Sequence, residues 1–152
     1  MLKTKKSVSM IVVLILAVIA LVICFKKDNL VTFSIEGNDF SIDISGNQMI
    51  LCLSSNPTTG YTWTVKEMDD YLKVNSIDYM AADNQEDLTG VGGYEEIHIT
   101  ALKNGTGKAI LEYKQDWEGG EIDGSYQLNV VSTNYGKKIR IKGITLKNAG
   151  QQ

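Results

Sequence analysis

The sequence predicts an all-β fold: an immunoglobulin-like antiparallel β-sandwich of seven or eight strands, preceded by one N-terminal transmembrane helix. Three observations support this prediction. Short runs of β-branched and aromatic residues recur after Asn29, and several alternate apolar with polar residues. Turn signals rich in glycine and asparagine separate these runs, and no helical period of useful length occurs among them. Apolar residues make up 43% of the chain, which is enough for a buried core.

The first element is an uncharged segment of eighteen residues, from Val8 to Phe25. As a helix it would be about 27 Å long, close to the hydrocarbon thickness of a bilayer. Lysines precede it at positions 3, 5 and 6. The positive-inside rule then leaves the N-terminus in the cytoplasm and sends the rest of the chain to the far side. We therefore expect residues 1–27 to be a cytoplasmic stub and membrane anchor, with the main domain in an extracytoplasmic location.

The same segment leaves two other fates open. Signal peptidase requires small residues just after the apolar core, but Ala17 and Ala20 lie inside it. A lipoprotein signal would lead to acylation of Cys24, although the large Ile23 stands where a small residue is usual. The domain would be secreted in the first case and lipid-anchored in the second. All three fates place it outside the cytoplasm.

Eight predicted strands follow one another in residues 28–133 and define the main domain. In chain order they are VTFSIEG, FSIDIS, QMILCLS, YTWTVK, YLKVNSIDYM, EIHITAL, KAILEYK and YQLNVVS. Seven or eight short strands in about 105 residues, with connections that cannot all be tight hairpins, indicate two packed antiparallel sheets.

Residues 134–152 are predicted to be a basic C-terminal extension outside this domain. Lys138, Arg140 and Lys142 alternate with Ile139 and Ile141, as in a strand with one basic face. Three roles are open for such a segment. It would dock on the acidic domain, lie on an anionic membrane or wall polymer, or remain a partly ordered, solvated extension.

Charge is distributed unevenly along the chain. Residues 28–133 hold all eighteen carboxylates against five lysines, a balance of −13, whereas both flanking segments are basic. A phosphate backbone would be repelled by such a domain, so we expect no nucleic-acid partner. The acidic run at 83–87 lacks the glycine at the sixth position of an EF-hand loop, so we expect neither a metal nor a cofactor.

The candidate catalytic groups are few. Cys52 is the single cysteine of the main domain, so no internal disulfide is expected, and it is predicted to pack as a small apolar residue. The alternative is a nucleophile paired with His98, the single histidine, but nothing in the sequence brings a base within hydrogen-bond reach of the thiol. We therefore do not expect an enzyme.

Three connections between the predicted strands differ from simple turns. The first, Asn56–Tyr61, reads NPTTGY. Pro57 fixes its own φ, and Gly60 accommodates a positive φ. The hydroxyl groups of Thr58 and Thr59 lie within reach of nearby backbone. Such a loop has its shape before it meets a partner, so less ordering entropy opposes association.

The other two connections add a glycine cluster and a tryptophan. The second contains GVGG, whose glycines let another backbone approach closely, although its spacing is not that of a phosphate loop. The third, from Gln115 to Gly124, carries Trp117 in a polar setting typical of a binding anchor. Singly, these features are explained by ordinary turns or by a tryptophan folded over the core. In an immunoglobulin-type sandwich, however, all three connections lie at one end.

These three loops resemble those of the chagasin-like inhibitors of papain-type cysteine proteases, and the resemblance covers roughly residues 30–133. The first family signature is complete as Asn56, Pro57, Thr58, Thr59, Gly60 and Tyr61, with Trp63 following. The second is complete as Gly90, Val91, Gly92 and Gly93. The third stands as Gln115, Asp116 and Trp117, where the family usually has Arg-Pro-Trp or Arg-Pro-Phe.

The resemblance implies a reversible proteinaceous inhibitor that inserts these loops into the active-site cleft without being cleaved. The thirteen residues of the three signatures are then the protease-binding residues, and the expected partner is a papain-type protease bound by a monomer. The competing hypothesis is a surface-anchored immunoglobulin-like adhesion or scaffolding module, because sandwiches of this type host many functions. The combination of the three loops favours the inhibitor.

Overall fold

The computed structural model describes residues 32–35, 40–82 and 92–150. The predicted membrane segment from Val8 to Phe25 lies outside these ranges, as do the acidic run at 83–87 and two residues of the second signature, Gly90 and Val91. Within the described ranges, no helix combines the length and the hydrophobicity that a bilayer crossing requires.

The described residues form nine strands and one short 3₁₀ turn. The strands are β1 (Thr32–Ile35), β2 (Phe40–Ser45), β3 (Gln48–Ser55), β4 (Tyr61–Met68), β5 (Leu72–Ala81), β6 (Gly93–Ala101), β7 (Gly105–Gln115), β8 (Ile122–Tyr135) and β9 (Lys138–Asn148). The 3₁₀ turn, Pro57–Thr59, connects β3 to β4. All eight predicted strand segments are therefore confirmed, and a ninth strand follows them.

The strands form two sheets, with the orders β2-β3-β6-β5 and β1-β9-β8-β7-β4. When β2 to β8 are lettered A to G, the sheets read ABED and CFG, which is the strand order of a constant-type immunoglobulin domain. The predicted sandwich is thus confirmed. Strands β9 and β1 extend the second sheet beyond β8, and β1 pairs with β9 in parallel, unlike the antiparallel neighbours elsewhere in the described sheets.

We expected the tail to lie outside the sandwich, but in the structure it forms strand β9 of the second sheet. The predicted boundary at residue 133 falls within β8, and β9 pairs with β8 from Lys138 to Asn148. The apolar residues that alternate with the basic ones, Ile139 and Ile141, face the core, and Ile141 is buried. The strand pattern of the tail was therefore read correctly, but its place in the fold was not.

The core lies between the two sheets and is built from alternating inward positions of both. Its buried side chains are Met49, Leu51, Leu53, Trp63, Leu72, Ile97, Ile99, Ala101, Ala109, Leu111, Leu128, Val130, Ile141, Ile144 and Leu146. Because successive strand residues face opposite sides, this alternation leaves the remaining positions on the two outer faces.

The two ends of the sandwich differ in kind. At one end, here named the loop end, β3, β5 and β7 finish and β4, β6 and β8 begin. At the other, here named the turn end, short connections join β2 to β3, β4 to β5, β6 to β7 and β8 to β9. The strand ends that are joined by the three connections singled out in the sequence all lie at the loop end, as predicted.

Candidate functional site

The described parts of the three loops come together at the loop end. Ser55, at the end of β3, pairs with Gly93, which in turn pairs with Ala81 of β5. In the other sheet, Tyr61 at the start of β4 pairs with Gln115 at the end of β7. The first loop therefore begins beside the start of β6 and ends beside the end of β7.

The first loop is fixed by its own hydrogen bonds. The carbonyl oxygen of Asn56 accepts from the backbone N–H of Thr59 at 3.0 Å and from its hydroxyl at 2.6 Å. The Thr58 hydroxyl donates to the side-chain oxygen of Asn56 at 2.6 Å, and the N–H of Gly60 donates to the carbonyl of Pro57 at 2.9 Å. Gly60 closes the turn with φ +84°, a conformation that glycine adopts without steric cost.

An aromatic stack supports this loop from below. The N–H of Asn56 donates to the hydroxyl oxygen of Tyr113 at 2.8 Å. The Tyr113 ring lies between Tyr61 and Trp63, with centroid distances of 5.3 and 5.1 Å, and Trp63 stacks in turn on Tyr126 at 5.6 Å. Offset aromatic contacts of this kind stabilise beyond the area they bury. The loop is thus attached to the core.

A buried carboxylate connects the two sheets beneath the loop. Glu95, only 3% exposed, accepts from the Ser55 hydroxyl at 2.7 Å and from the backbone N–H of Trp63 at 2.9 Å. The second contact satisfies a donor of β4, which is an edge strand. The sequence analysis did not identify Glu95. The alternation of β6 could have identified it, because Glu95 faces inward together with Ile97 and Ile99.

Trp117 lies directly against the first loop. A Cβ atom built on Gly60 would be 2.6 Å from two ring carbons of Trp117, Cζ3 and Cη2, so only glycine allows this approach. The indole is nonetheless 56% exposed. The alternative in which this tryptophan folds over the core therefore does not hold. The first and third loops instead form one continuous surface with an exposed aromatic ring.

The third loop is closed by hydrogen bonds of Gln115, which stands where the family pattern has arginine. The backbone N–H of Gln115 donates to the carbonyl of Glu121 at 3.0 Å, and its side-chain oxygen accepts from the Glu121 N–H at 3.1 Å. The N–H of Gly120 donates to the carbonyl of Trp117 at 2.9 Å, with Gly119 at φ +77° in the turn. Asp116 is exposed beside Trp117.

The described glycines of the second loop are explained by contacts within the domain. A Cβ on Gly93 would lie 2.1 Å from the carbonyl oxygen of Met80 in β5. A Cβ on Gly92 would lie 3.1 Å from the carbonyl oxygen of Ser55. Close backbone approach is thus confirmed as the reason for glycine here, but the backbone in question belongs to this chain.

The loop end is acidic. Residues 115–124 contain Asp116, Glu118, Glu121 and Asp123 and no basic residue. Tyr61 faces this group, and its hydroxyl lies 3.4 Å from Oε2 of Glu121. Partial desolvation, followed by the negative charges of Glu121 and Asp123, raises the pKa of Tyr61 above its ordinary value, because each disfavours the phenolate.

The groups considered for catalysis lie elsewhere, on the outer face of the four-stranded sheet. Cys52 is partly exposed in a shallow groove with Phe40 and Tyr94, opposite Glu96. His98 has its Nε2 atom 3.4 Å from Glu96. Neither residue belongs to the loop end.

Comparison with known proteins identifies the family to which this chain is related. The family described as Chagasin family peptidase inhibitor I42 matches residues 44–130. Amoebiasin-1 from Entamoeba histolytica is 32% identical over 96 residues, covering 62% of this chain and 92% of that protein. Chagasin from Trypanosoma cruzi is 31% identical over 83 residues, covering 51% of this chain and 74% of that protein.

Solved structures include the cysteine protease inhibitor EhICP2 from Entamoeba histolytica. It aligns with a TM-score of 0.47 and 22% identity, over 77% of this chain and 95% of that one. The family match alone covers more than half of this chain, and it includes the whole first loop and the third. The chain belongs to the chagasin family of peptidase inhibitors.

Proposed function

We propose that this protein is a reversible inhibitor of papain-type cysteine proteases and that it inserts its three loops into the active-site cleft without being cleaved. The observation that carries the proposal is the contact between Trp117 and Gly60, which joins the first and third loops into one exposed surface. Amoebiasin-1 and Chagasin share about a third of the aligned residues with this chain, which supports the proposal.

The first loop suits a site that holds a thiolate and an imidazolium. Its carbonyl groups at Asn56 and Pro57 already accept hydrogen bonds within the loop, so they are poorly placed to enter an oxyanion hole. The loop is uncharged, and the Tyr113 contact fixes its base. These three properties favour occlusion of the active site without acyl transfer.

Trp117 would anchor the complex on one wall of the cleft. Buried tryptophan is enriched among the residues that dominate binding energy at interfaces. Since the ring already rests on Gly60, little conformational entropy remains to be lost when a protease covers it. On this proposal the glycines at 90, 92 and 93 and Val91 line the opposite wall.

The third loop would shift the preference among proteases. Asp116 replaces the proline of the family pattern and Gln115 replaces the arginine, so we expect tighter binding to clefts with a neutral or basic rim. Gln115→Arg with Asp116→Pro should change the ranking of inhibition constants among several papain-type proteases. Unchanged affinities for all of them would rule out this part of the proposal.

We propose that the domain is extracytoplasmic and that the segment from Val8 to Phe25 is an uncleaved anchor. We also propose that the protein is a monomer. The support is the charge-free length of that segment and the lysines before it. Protease added to intact cells should digest the domain, and N-terminal sequencing of the purified protein should still find Met1. If the purified protein began after residue 20, the segment would have been cleaved, and the domain would be secreted or lipid-anchored instead.

The decisive experiment titrates the full chain, in mild detergent, against several papain-type proteases. Reversible inhibition with an intact inhibitor band after prolonged incubation is expected. Trp117→Ala should weaken inhibition by about 30-fold, as for a tryptophan hot spot. Val131→Ala is the matched control, since Val131 is 44% exposed but lies on the outer face of the five-stranded sheet. Absence of inhibition for every protease would favour the adhesion module instead.

A further inference from the structure

We propose that Glu95 and Tyr113 are positioning residues of the inhibitor: they hold the two ends of the first loop together and so prevent a bound protease from cutting it. This inference rests on the proposed function, because it explains how the loop meets a protease without being cleaved. Neither residue belongs to the three family signatures, and neither has to touch the protease to act in this way.

The two ends of the first loop are not joined by a strand ladder in the described sheets. Strand β3 leads into the loop and β4 leads out of it, but β3 lies in the four-stranded sheet and β4 in the five-stranded sheet. In a β-hairpin, backbone hydrogen bonds between the two strands would hold such ends together. Here the chain crosses from one sheet to the other at the loop, so side chains must supply the connection.

Glu95 supplies this connection from the four-stranded sheet. One carboxylate oxygen accepts from the hydroxyl group of Ser55, the residue before the loop, at 2.7 Å. The other accepts from the backbone N–H of Trp63, two residues after Tyr61, at 2.9 Å. A single buried side chain thus bridges the chain before the loop and the chain after it. Because the site is buried, water does not readily replace these hydrogen bonds.

Tyr113 supplies a second connection, from the five-stranded sheet. Its hydroxyl oxygen accepts from the N–H of Asn56 at 2.8 Å, and its ring contacts those of Tyr61 and Trp63. The first residue of the loop is therefore tied to the aromatic stack that includes the last. The indole Nε1 of Trp63 adds a direct bond across the same gap, because it donates to the carbonyl oxygen of Ser54 at 3.0 Å.

The two positioning residues are placed beside the other two loops. Glu95 is two positions after Gly93, the last residue of the second signature, and Tyr113 is two positions before Gln115, the first residue of the third. Each therefore projects from a strand that carries a neighbouring loop. The hydrogen bonds within the first loop fix only its own shape, whereas these two side chains fix its place relative to its neighbours.

Separation of the two ends would allow the first loop to become a substrate. Hydrolysis requires a peptide carbonyl group to enter the oxyanion hole, and the carbonyl groups of Asn56 and Pro57 accept hydrogen bonds in the closed turn. Once the turn opens, the protease thiolate attacks a freed carbonyl carbon and the C–N bond breaks. The amine leaves with a proton from the imidazolium, and one water molecule then hydrolyses the acyl-enzyme. The cut inhibitor gains the mass of one water.

Two variants of the full chain test these roles, in mild detergent, with a papain-type protease that the unmodified chain inhibits. Glu95→Gln leaves one acceptor for two donors, and Tyr113→Phe removes one acceptor but keeps the ring. Both should raise the inhibition constant by about tenfold, because a loosened loop must be ordered on binding. Both should also be cut within residues 56–61 at least about tenfold faster than the unmodified chain, since cleavage follows the population of the open loop.

Each variant has a matched control outside these contacts. Asp69, at the turn end, also accepts from two backbone N–H groups, those of Tyr71 and Lys108, so Asp69→Asn makes the same exchange of carboxylate for amide. Tyr126→Phe removes the hydroxyl group of the other tyrosine that packs on Trp63. Both controls should keep the inhibition constant and an intact first loop.

The position of the cut distinguishes positioning from a general loss of stability. Mass spectrometry should find the cuts in Glu95→Gln confined to the first loop. Cuts scattered along the chain, or equal cutting of that loop in Asp69→Asn, would overturn the inference. Tyr113→Phe keeps the apolar contacts and decides the question alone if Glu95→Gln does not fold.

Failure of this inference differs from failure of the proposed function. If the unmodified chain inhibits but both variants inhibit equally well and stay intact, Glu95 and Tyr113 do not position the loop. If the unmodified chain inhibits no papain-type protease, the proposed function is wrong, and this inference is wrong with it.

Discussion

Gly60 has two requirements at one position. Its φ of +84° is accessible to glycine but strained for other residues, and its missing side chain leaves room for the indole of Trp117. The sequence predicted the first requirement from the turn pattern. It did not predict the second, because Trp117 lies 57 positions away in the sequence and local turn chemistry does not report such a contact.

Gly60→Ala should separate these requirements when compared with Gly119→Ala. Gly119 has φ +77°, but nothing lies within 4 Å of a Cβ built there. Both variants should lose about 1–2 kcal/mol of unfolding free energy through backbone strain. Only Gly60→Ala should also displace Trp117, change the near-UV circular dichroism of the indole and weaken protease inhibition. Equal inhibition constants for the two variants would show that the indole contact contributes nothing to binding.

Glu95 should be more important to stability than Glu96, its partly exposed neighbour on the outer face. Glu95→Gln leaves one side-chain acceptor for two buried donors, Ser55 and Trp63, so we expect a loss of about 1–3 kcal/mol in urea denaturation. Glu96→Gln, at the next position but on the outer face, should change stability by less than about 0.5 kcal/mol. Similar losses for both substitutions would contradict the bridging role of Glu95.

Tyr61 gives the loop end a dependence on alkaline pH. Because its pKa is raised in the folded protein, the neutral phenol contributes stability below the ordinary pKa of 10.0, and that contribution is lost as pH rises through the raised value. Glu121→Gln should lower the pKa of Tyr61 in an NMR titration, since it removes the carboxylate whose negative charge raises that pKa most. Asp70→Asn, at the turn end, should not. An unchanged titration in Glu121→Gln would exclude the proposed coupling.

At the scale of the element, β9 shows that the charge pattern alone gives a wrong domain boundary. The tail carries no acidic residue, so its composition suggested a boundary where the fold has none. Its cations lie on the outer face, while Ile141, Ile144 and Leu146 fill the core between the sheets. Period-two alternation identified the strand, but alternation does not report which sheet receives it.

Because β9 contributes to the core, its removal should abolish folding of the domain. Leu146→Ala should cost about 2–5 kcal/mol, as for other buried leucines, whereas Thr145→Ala on the outer face should cost less than about 1 kcal/mol. A fragment that ends at residue 133 should show no cooperative thermal transition by circular dichroism. A cooperative melt of that fragment would restore the tail to the status of an extension.

At the scale of the whole molecule, the sequence predicted the architecture well because it depends on patterns of local origin. The eight strand segments follow from alternation and turn residues, and the end at which the three connections meet follows from the immunoglobulin-type topology that those segments indicate. The parallel pairing of β1 with β9 joins residues more than 100 positions apart, and no local pattern encodes it. No local pattern encodes the hydrogen bond between Asn56 and Tyr113 either, and this bond fixes the base of the first loop.

That parallel pairing also determines how the domain resists force. A protein held at its N-terminus and pulled through its loops is loaded along its strands. Strand β1 would then have to slide along β9, and the hydrogen bonds between Thr32–Ile35 and residues 143–146 would have to break together. Bonds that share a load in shear withstand more tension than bonds that open one after another. The four paired residues would thus share the load of any pull between the N-terminus and the loop end.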